Sequence, residues 1–412
     1  GHSHRPHPQA IRAVVAAFAR QGIALHAFPG HPLRHYSVVT LDPVNPACAG
    51  NDAVNFYDLK ARSFDHRKAL AYHYAIFAHY HTCDSAVHCS VCTPAVAFGS
   101  AGRAELPGND AIVALGSFLD IGLTPGFEHE AVVFMHELGH NFGLRHAGDN
   151  DLPDWKPNYL SVMNDTFIYT GITVADGPGS TTPISCHVTA DCPAEAICAS
   201  FSHTCTRIDY SRQALPELNE SSLNESIGIG AGGNDITPYV CPEFTEGFGP
   251  GIGPIDWNCN GDASETNVVA DINADGFFGY NNFGLLPFTG HQDWGSLNFH
   301  FQCSANGVDP PGAHLPRHEP RELTIPDAMR KHVLFARRAV EVMMVGAEPG
   351  ARAVAILGAD DLDAAEIDGS SLKLAGASPV RTRFADTNGD GRVDLVLTFD
   401  TTGPRLLAGA GP

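Results

Sequence analysis

Positive charge is scarce in this chain: 25 Lys and Arg stand against 46 Asp and Glu, a formal net charge of −21 over 412 residues. A surface so poor in cations cannot neutralise a phosphate backbone or an anionic bilayer, so nucleic acid and electrostatically bound membranes are excluded as partners. Long apolar runs are also missing. No stretch approaches the ~18 residues that a membrane span requires. The start, Gly1-His2-Ser3-His4, has no secretory hydrophobic core, so an exported protein would carry this chain in processed form. Fixed-period repeats and low-complexity tracts are absent as well. What is plentiful is glycine (42), proline (29) and apolar side chains (43%), which describes a globular, loop-rich protein of two or three domains.

Eleven cysteines are many for a reducing compartment, so disulfides and a secreted, extracellular setting are expected. Cys83, Cys89 and Cys92, with His81 and His88 nearby, read as disulfide halves in preference to a zinc site. Cys186, Cys192, Cys198 and Cys205 read as staples of a Cys-rich insertion at 186–205, too short to hold itself by core burial. With Cys48, Cys241, Cys259 and Cys303 the count is odd, so at least one thiol has no partner within the chain. Spacing does not give the connectivity.

Hydrophobic periodicity predicts helices over 9–22, 65–81 and 127–143, and strands over 23–28, 36–41, 94–98 and 111–115. That alternation implies an α/β layer built on a mixed sheet. From about residue 170 the texture turns to Gly, Pro, Asn, Asp and Cys, which implies long loops and short strands up to a helical stretch at 325–338. From about 340, VEVMMVG, ARAVAILG, SLKLAG, VRTRFAD and VDLVLTFD predict a β-sandwich. The expected division is 1–215, 216–335 (possibly part of the first module) and 336–412.

The chemistry concentrates in FMHELGHNFGLRH, which contains His136-Glu137-x-x-His140-x-x-Gly143-x-x-His146. Residues four apart share a helix face, so His136 and His140 can present imidazole nitrogens to one cation. Ala131, Phe134, Met135, Leu138 and Phe142 form the apolar stripe expected to bury against the sheet. Gly143 allows the left-handed exit that His146 needs to reach the same ion. Three neutral histidines leave a tetrahedral zinc with an open position, the mark of a catalytic site, and Glu137 is placed to serve as general base. Chance yields on the order of 10⁻³ matches to such a pattern in a chain of this length.

HELGHNFGLRH resembles the extended zinc-binding sequence of the metzincin metallopeptidases, and Tyr159-Leu-Ser-Val-Met163-Asn resembles their Met-turn; the longer KPNYLSVMN is similar to secreted bacterial members. The resemblance implies a metzincin catalytic domain over about 1–215, with a mixed sheet, an active-site helix and a backing helix. It also implies zinc on His136, His140 and His146, Glu137 as catalytic base and acid, and Met163 as a floor that does not touch the metal. An upper edge strand for extended substrate would lie within 95–116. Where some members carry a tyrosine two residues after the Met, this chain has Asp165.

Asp386, Asn388, Asp390 and Asp394, with Gly391 at the sixth position, have the oxygen spacing of a calcium loop, although the twelfth position is Leu397 in place of a bidentate Glu. Shorter versions occur at 256–262 and 271–276. His2, His4 and His7 read as a solvated terminus. The expected function is a secreted zinc endopeptidase with zinc and calcium as cofactors, a protein or peptide as substrate, and a monomeric chain. The alternatives are a zinc-containing binding or adhesion module without turnover, and an amidase acting on a non-protein amide.

Overall fold

The structure is a computed structural model. It describes residues 4–40, 53–69, 71–81, 100–120, 123–230, 233–242, 245–273, 284–301, 342–348, 351–358, 364, 367, 369, 372 and 378–400. The chain divides into two units, Gly1–Arg338 and Ala339–Pro412.

In the first unit, α1 (Pro8–Arg20) starts where Pro8 costs no hydrogen bond and the His7 Nδ1 accepts from the Gln9 N–H at 3.2 Å. Its buried side chains are Ala10, Val14, Ala17 and Phe18. A second helix, α2 (Phe56–Ser63), is capped by the Asn55 Oδ1, which accepts from the Tyr57 N–H at 2.9 Å. Then come α3 (Gly116–Asp120) and α4 (Phe127–Asn141). Between α2 and α3 lies a three-stranded sheet. Strand Asp110–Ala114 runs parallel to Tyr74–Ala78 on one side and antiparallel to Gly102–Ala104 on the other.

Every residue of Asp110–Ala114 is buried because both faces are covered. Ile112 and Ala114 pack with Phe56 and Leu59 of α2, while Val113 packs with Val133 of α4. Lys60 of α2 meets Asp110 at 2.6 Å with both side chains buried. Removing one partner of such a pair costs about 3–5 kcal/mol. Most of the α4 stripe departs from expectation: Ala131, Met135, Leu138 and Phe142 pack on Val14 and Phe18 of α1, while Phe134, as expected, meets the sheet at Phe77, beside the neighbouring Val133.

Beyond α4 a second core gathers Leu160, Phe167, Leu218, Trp257, Ile272 and Phe288 from short strands and loops. Disulfides join Cys186 to Cys198, Cys192 to Cys205 and Cys241 to Cys259. The other cysteines lie outside the described residues, as do the expected strand at 94–98 and helix at 325–338.

The expected α/β metzincin domain followed by a β-sandwich is not what the chain forms. Helix accounts for only 17% and strand for 27%, and the described strands are split among seven small sheets, so no single mixed sheet organises the first unit. Residues 65–81 are one 3₁₀ turn, His66–Lys68, and the strand Tyr74–Ala78; 23–28 have no regular structure. Strands of two or three residues dominate the middle because Gly, Pro and Asp keep ending them. In the second unit the described residues form one four-stranded antiparallel sheet, ordered Val342–Glu348, Ala351–Ile356, Asp394–Asp400, Arg381–Ala385. No second sheet lies among them to close a sandwich.

Candidate metal centre

Helix α4 carries His136, Glu137 and His140, all fully buried. The His136 Nδ1 lies 2.7 Å from the Val162 carbonyl and the His140 Nδ1 lies 2.8 Å from the Leu144 carbonyl. A carbonyl only accepts, so each Nδ1 donates, and each neutral ring turns the lone pair of its Nε2 outward. Those two Nε2 atoms are 3.0 Å apart, and the His146 Nε2 is 3.2 Å from that of His140. Two lone pairs cannot bond each other, whereas three nitrogens held ~2.0–2.1 Å from one tetrahedral ion are themselves about 3.3 Å apart. The donor set and its spacing therefore fit a metal ion. The ligand atoms of the three histidines all lie within 4.8 Å of one another.

His146 arrives by a sharp exit from α4. Gly143 has φ 92°, its N–H donates to the His140 carbonyl at 2.8 Å, and the Leu144 N–H donates to the Gly139 carbonyl at 2.9 Å. This pair of bonds is a Schellman cap, which needs a residue that tolerates a left-handed backbone. Behind the His146 ring, the Asp165 Oδ1 is 3.7 Å from Nδ1, and the Trp155 Nε1–H donates to the Asp165 Oδ2 at 3.3 Å. Asp154 joins the same group. Asp165 thus lies beside His146, at the position where the sequence suggested only a missing tyrosine.

Met163 is fully buried in the core shared by α1 and α4. A methyl group on Gly139 would overlap its Sδ, so the glycine lets the Met segment approach the helix closely. That segment is anchored from far along the chain. Buried Asp293 accepts from the Tyr159 hydroxyl at 2.7 Å, the Ser161 hydroxyl at 2.5 Å and the Ser211 N–H at 3.1 Å. The Asn164 amide donates to the Lys156 and Tyr159 carbonyls, both at 2.9 Å. Burial, together with the adjoining Asp293 carboxylate, pushes the Tyr159 hydroxyl well above its ordinary pKa, so it stays a donor. Asp293 and Gly102 had no signal in the sequence. Gly102 lies on the sheet's edge strand, and a methyl there would overlap the Glu137 carboxylate.

The remaining candidates are distributed differently. The Asp386 oxygens accept from the Gly389 and Gly391 N–H groups at 2.7 and 3.0 Å, and Asp390 accepts from the Arg392 N–H at 2.8 Å. Asn388 accepts from the Asp390 N–H at 3.2 Å. Buried Asp394 turns to the Gly358 N–H at 2.9 Å and the Thr387 N–H at 2.7 Å. Among the described residues these carboxylates do not form a common metal-holding group. In the loop at 256–262, Asp256 likewise accepts from the Asn260 and Gly261 N–H groups at 3.0 and 2.6 Å. No described helix is long and apolar enough to cross a membrane.

Comparison with known proteins yields no matching family model, no matching curated protein and no matching solved structure.

Proposed function

We propose that the chain is a secreted zinc-dependent endopeptidase. The observation that carries this reading is the convergence of three imidazole Nε2 atoms, those of His136 and His140 left as acceptors by their Nδ1–H bonds to carbonyls, next to a buried glutamate on the same helix. All-imidazole ligation suits zinc, and the resemblance of the motif and of the Met segment to metzincin peptidases supports the choice. Zinc bound there supplies Lewis acidity, which lowers the pKa of water and polarises a carbonyl oxygen.

The chain's own residues do the rest. His136, His140 and His146 hold the ion. Glu137 takes a proton from the attacking water; as the peptide C–N bond breaks, it returns that proton to the leaving amine. The edge strand Gly102–Ala104, beside the Glu137 carboxylate, supports an extended peptide substrate that adds to the sheet by main-chain hydrogen bonds. The three disulfides support an oxidising, extracellular setting.

The test is casein or gelatin turnover with zinc analysis, wild type beside Glu137→Ala. The variant is expected to keep the zinc on its histidines and to lose at least about 10²–10⁴-fold in turnover. Near wild-type turnover by the variant would remove Glu137 from the mechanism. A zinc-loaded wild type that cleaves neither protein would favour a binding module, or an amidase if it hydrolyses small amides instead.

A further inference from the structure

A second histidine cluster draws on no residue of α4. His4, from the arm before α1, His35, from the stretch before strand Val38–Thr40, and His79, just past strand Tyr74–Ala78, place one ring nitrogen each within 4.8 Å of the other two. The Nε2 atoms of His4 and His35 are 3.1 Å apart. The ring centroids are separated by 5.1 Å for His4 and His35, 5.1 Å for His4 and His79, and 6.1 Å for His35 and His79.

Backbone bonds bring these distant residues together. The Tyr80 N–H donates to the Ser37 carbonyl at 3.3 Å, and the Val39 N–H donates to the Tyr80 carbonyl at 2.9 Å, which sets 35–39 beside 79–80. The His79 carbonyl accepts from the Gly116 N–H at 2.9 Å, tying that strand end to α3. On the other side, the His7 N–H donates to the Glu130 Oε1 at 2.6 Å, holding the arm that carries His4 against α4.

We propose that His4, His35 and His79 form a second zinc site, independent of the peptidase reading, that clips distant segments of the chain together. The His4–His35 nitrogen spacing of 3.1 Å approaches the ~3.3 Å separation of ligands on one tetrahedral ion, and the His79 nitrogen lies within 4.8 Å of both. The group contains no carboxylate, so it suits zinc or a similar transition ion and not calcium or magnesium, which require oxygen donors. His35 is exposed, and His4 and His79 are half-buried, so the ion keeps a solvent-facing position and exchanges more readily than one at the buried α4 site. Its effect is to clip together three segments joined by long connections. One of these, 21–37, has no regular secondary structure. A cross-link of that kind stabilises by removing loop-closure freedom from the unfolded chain.

The experiment strips the full chain with chelator, reloads it with zinc, removes the free ion and measures zinc per chain by elemental analysis. The variants are His35→Ala, His79→Gln, His140→Ala and His2→Ala. Wild type and His2→Ala should hold two zinc ions. His35→Ala and His79→Gln should hold one and keep peptidase activity, and His140→Ala should hold one and lose it. Zinc should also slow proteolysis within 21–37 in wild type and in His140→Ala, but not in His35→Ala. Saturation of wild type at one ion would overturn the proposal, as would two ions remaining in both His35→Ala and His79→Gln. Loss of the second ion in His2→Ala would place it on the flanking terminus and also overturn the proposal.

Discussion

Gly102 makes room for the carboxylate of the proposed base, which gives a direct handle on the geometry of Glu137. Gly102→Ala puts a methyl into the carboxylate's position, so the carboxylate must move. A displacement of about 1 Å costs on the order of 10²-fold in rate. The variant should therefore lose kcat by roughly that factor while zinc content is unchanged, a split that activity assays beside elemental analysis will read. Glu130 tests another residue-scale effect. Burial raises its pKa to about 7, against a smaller opposing influence from the His7 N–H. The folded chain thus keeps this proton where the unfolded chain, ionising near 4.5, has lost it. The associated stability is complete below pH 4.5 and is lost as pH rises to about 7. Glu130→Gln lacks this dependence, so its Tm relative to wild type should climb between pH 4.5 and 7 and level off above. A flat difference across that window would mean that Glu130 ionises normally.

Elements differ in how far their own sequence specifies them. Helix α4 was legible because its candidate ligands, its candidate base and its Gly143 exit are all local, within the eleven residues 136 to 146. Strand Tyr74–Ala78 was not. Leu70, Tyr74 and Phe77 mimic a helical stripe, but the strand lies between two covered faces, with Ile76 in one core and Phe77 against the other. A doubly buried strand reads as a continuous apolar run that periodicity cannot distinguish from a helix. The Met segment is an intermediate case: Met163 was recognisable from its neighbours, but its clamps, Gly139 excepted, come from elsewhere in the chain. Met163→Ala should cost about 2–5 kcal/mol, as truncation of a buried Met does. Zinc should stay bound, because His136 and His140 are held by the Val162 and Leu144 carbonyls. Denaturant unfolding with zinc analysis checks both halves, and a stable, zinc-free variant would reassign Met163 to the metal.

For the whole molecule, what the sequence could not show is how far downstream the site's support lies. The core that receives Leu160 and Phe167 is completed by Trp257, Ile272 and Phe288, and Asp293 is 134 residues beyond the Tyr159 it anchors. A fragment ending at residue 215 keeps every proposed ligand and Glu137 but lacks that core and that carboxylate. It should show no cooperative unfolding transition and no peptidase activity, whereas a chain ending at 338 should show both; circular dichroism melts beside turnover would decide. The same arrangement has a consequence in time. At ~5–20 residues per second, a ribosome needs on the order of ten seconds to travel from Tyr159 to Asp293. Throughout that interval the nascent chain displays all three histidines while the Tyr159–Met163 segment still lacks its Asp293 anchor, so the proposed peptidase would gain its activity only after synthesis has passed Asp293.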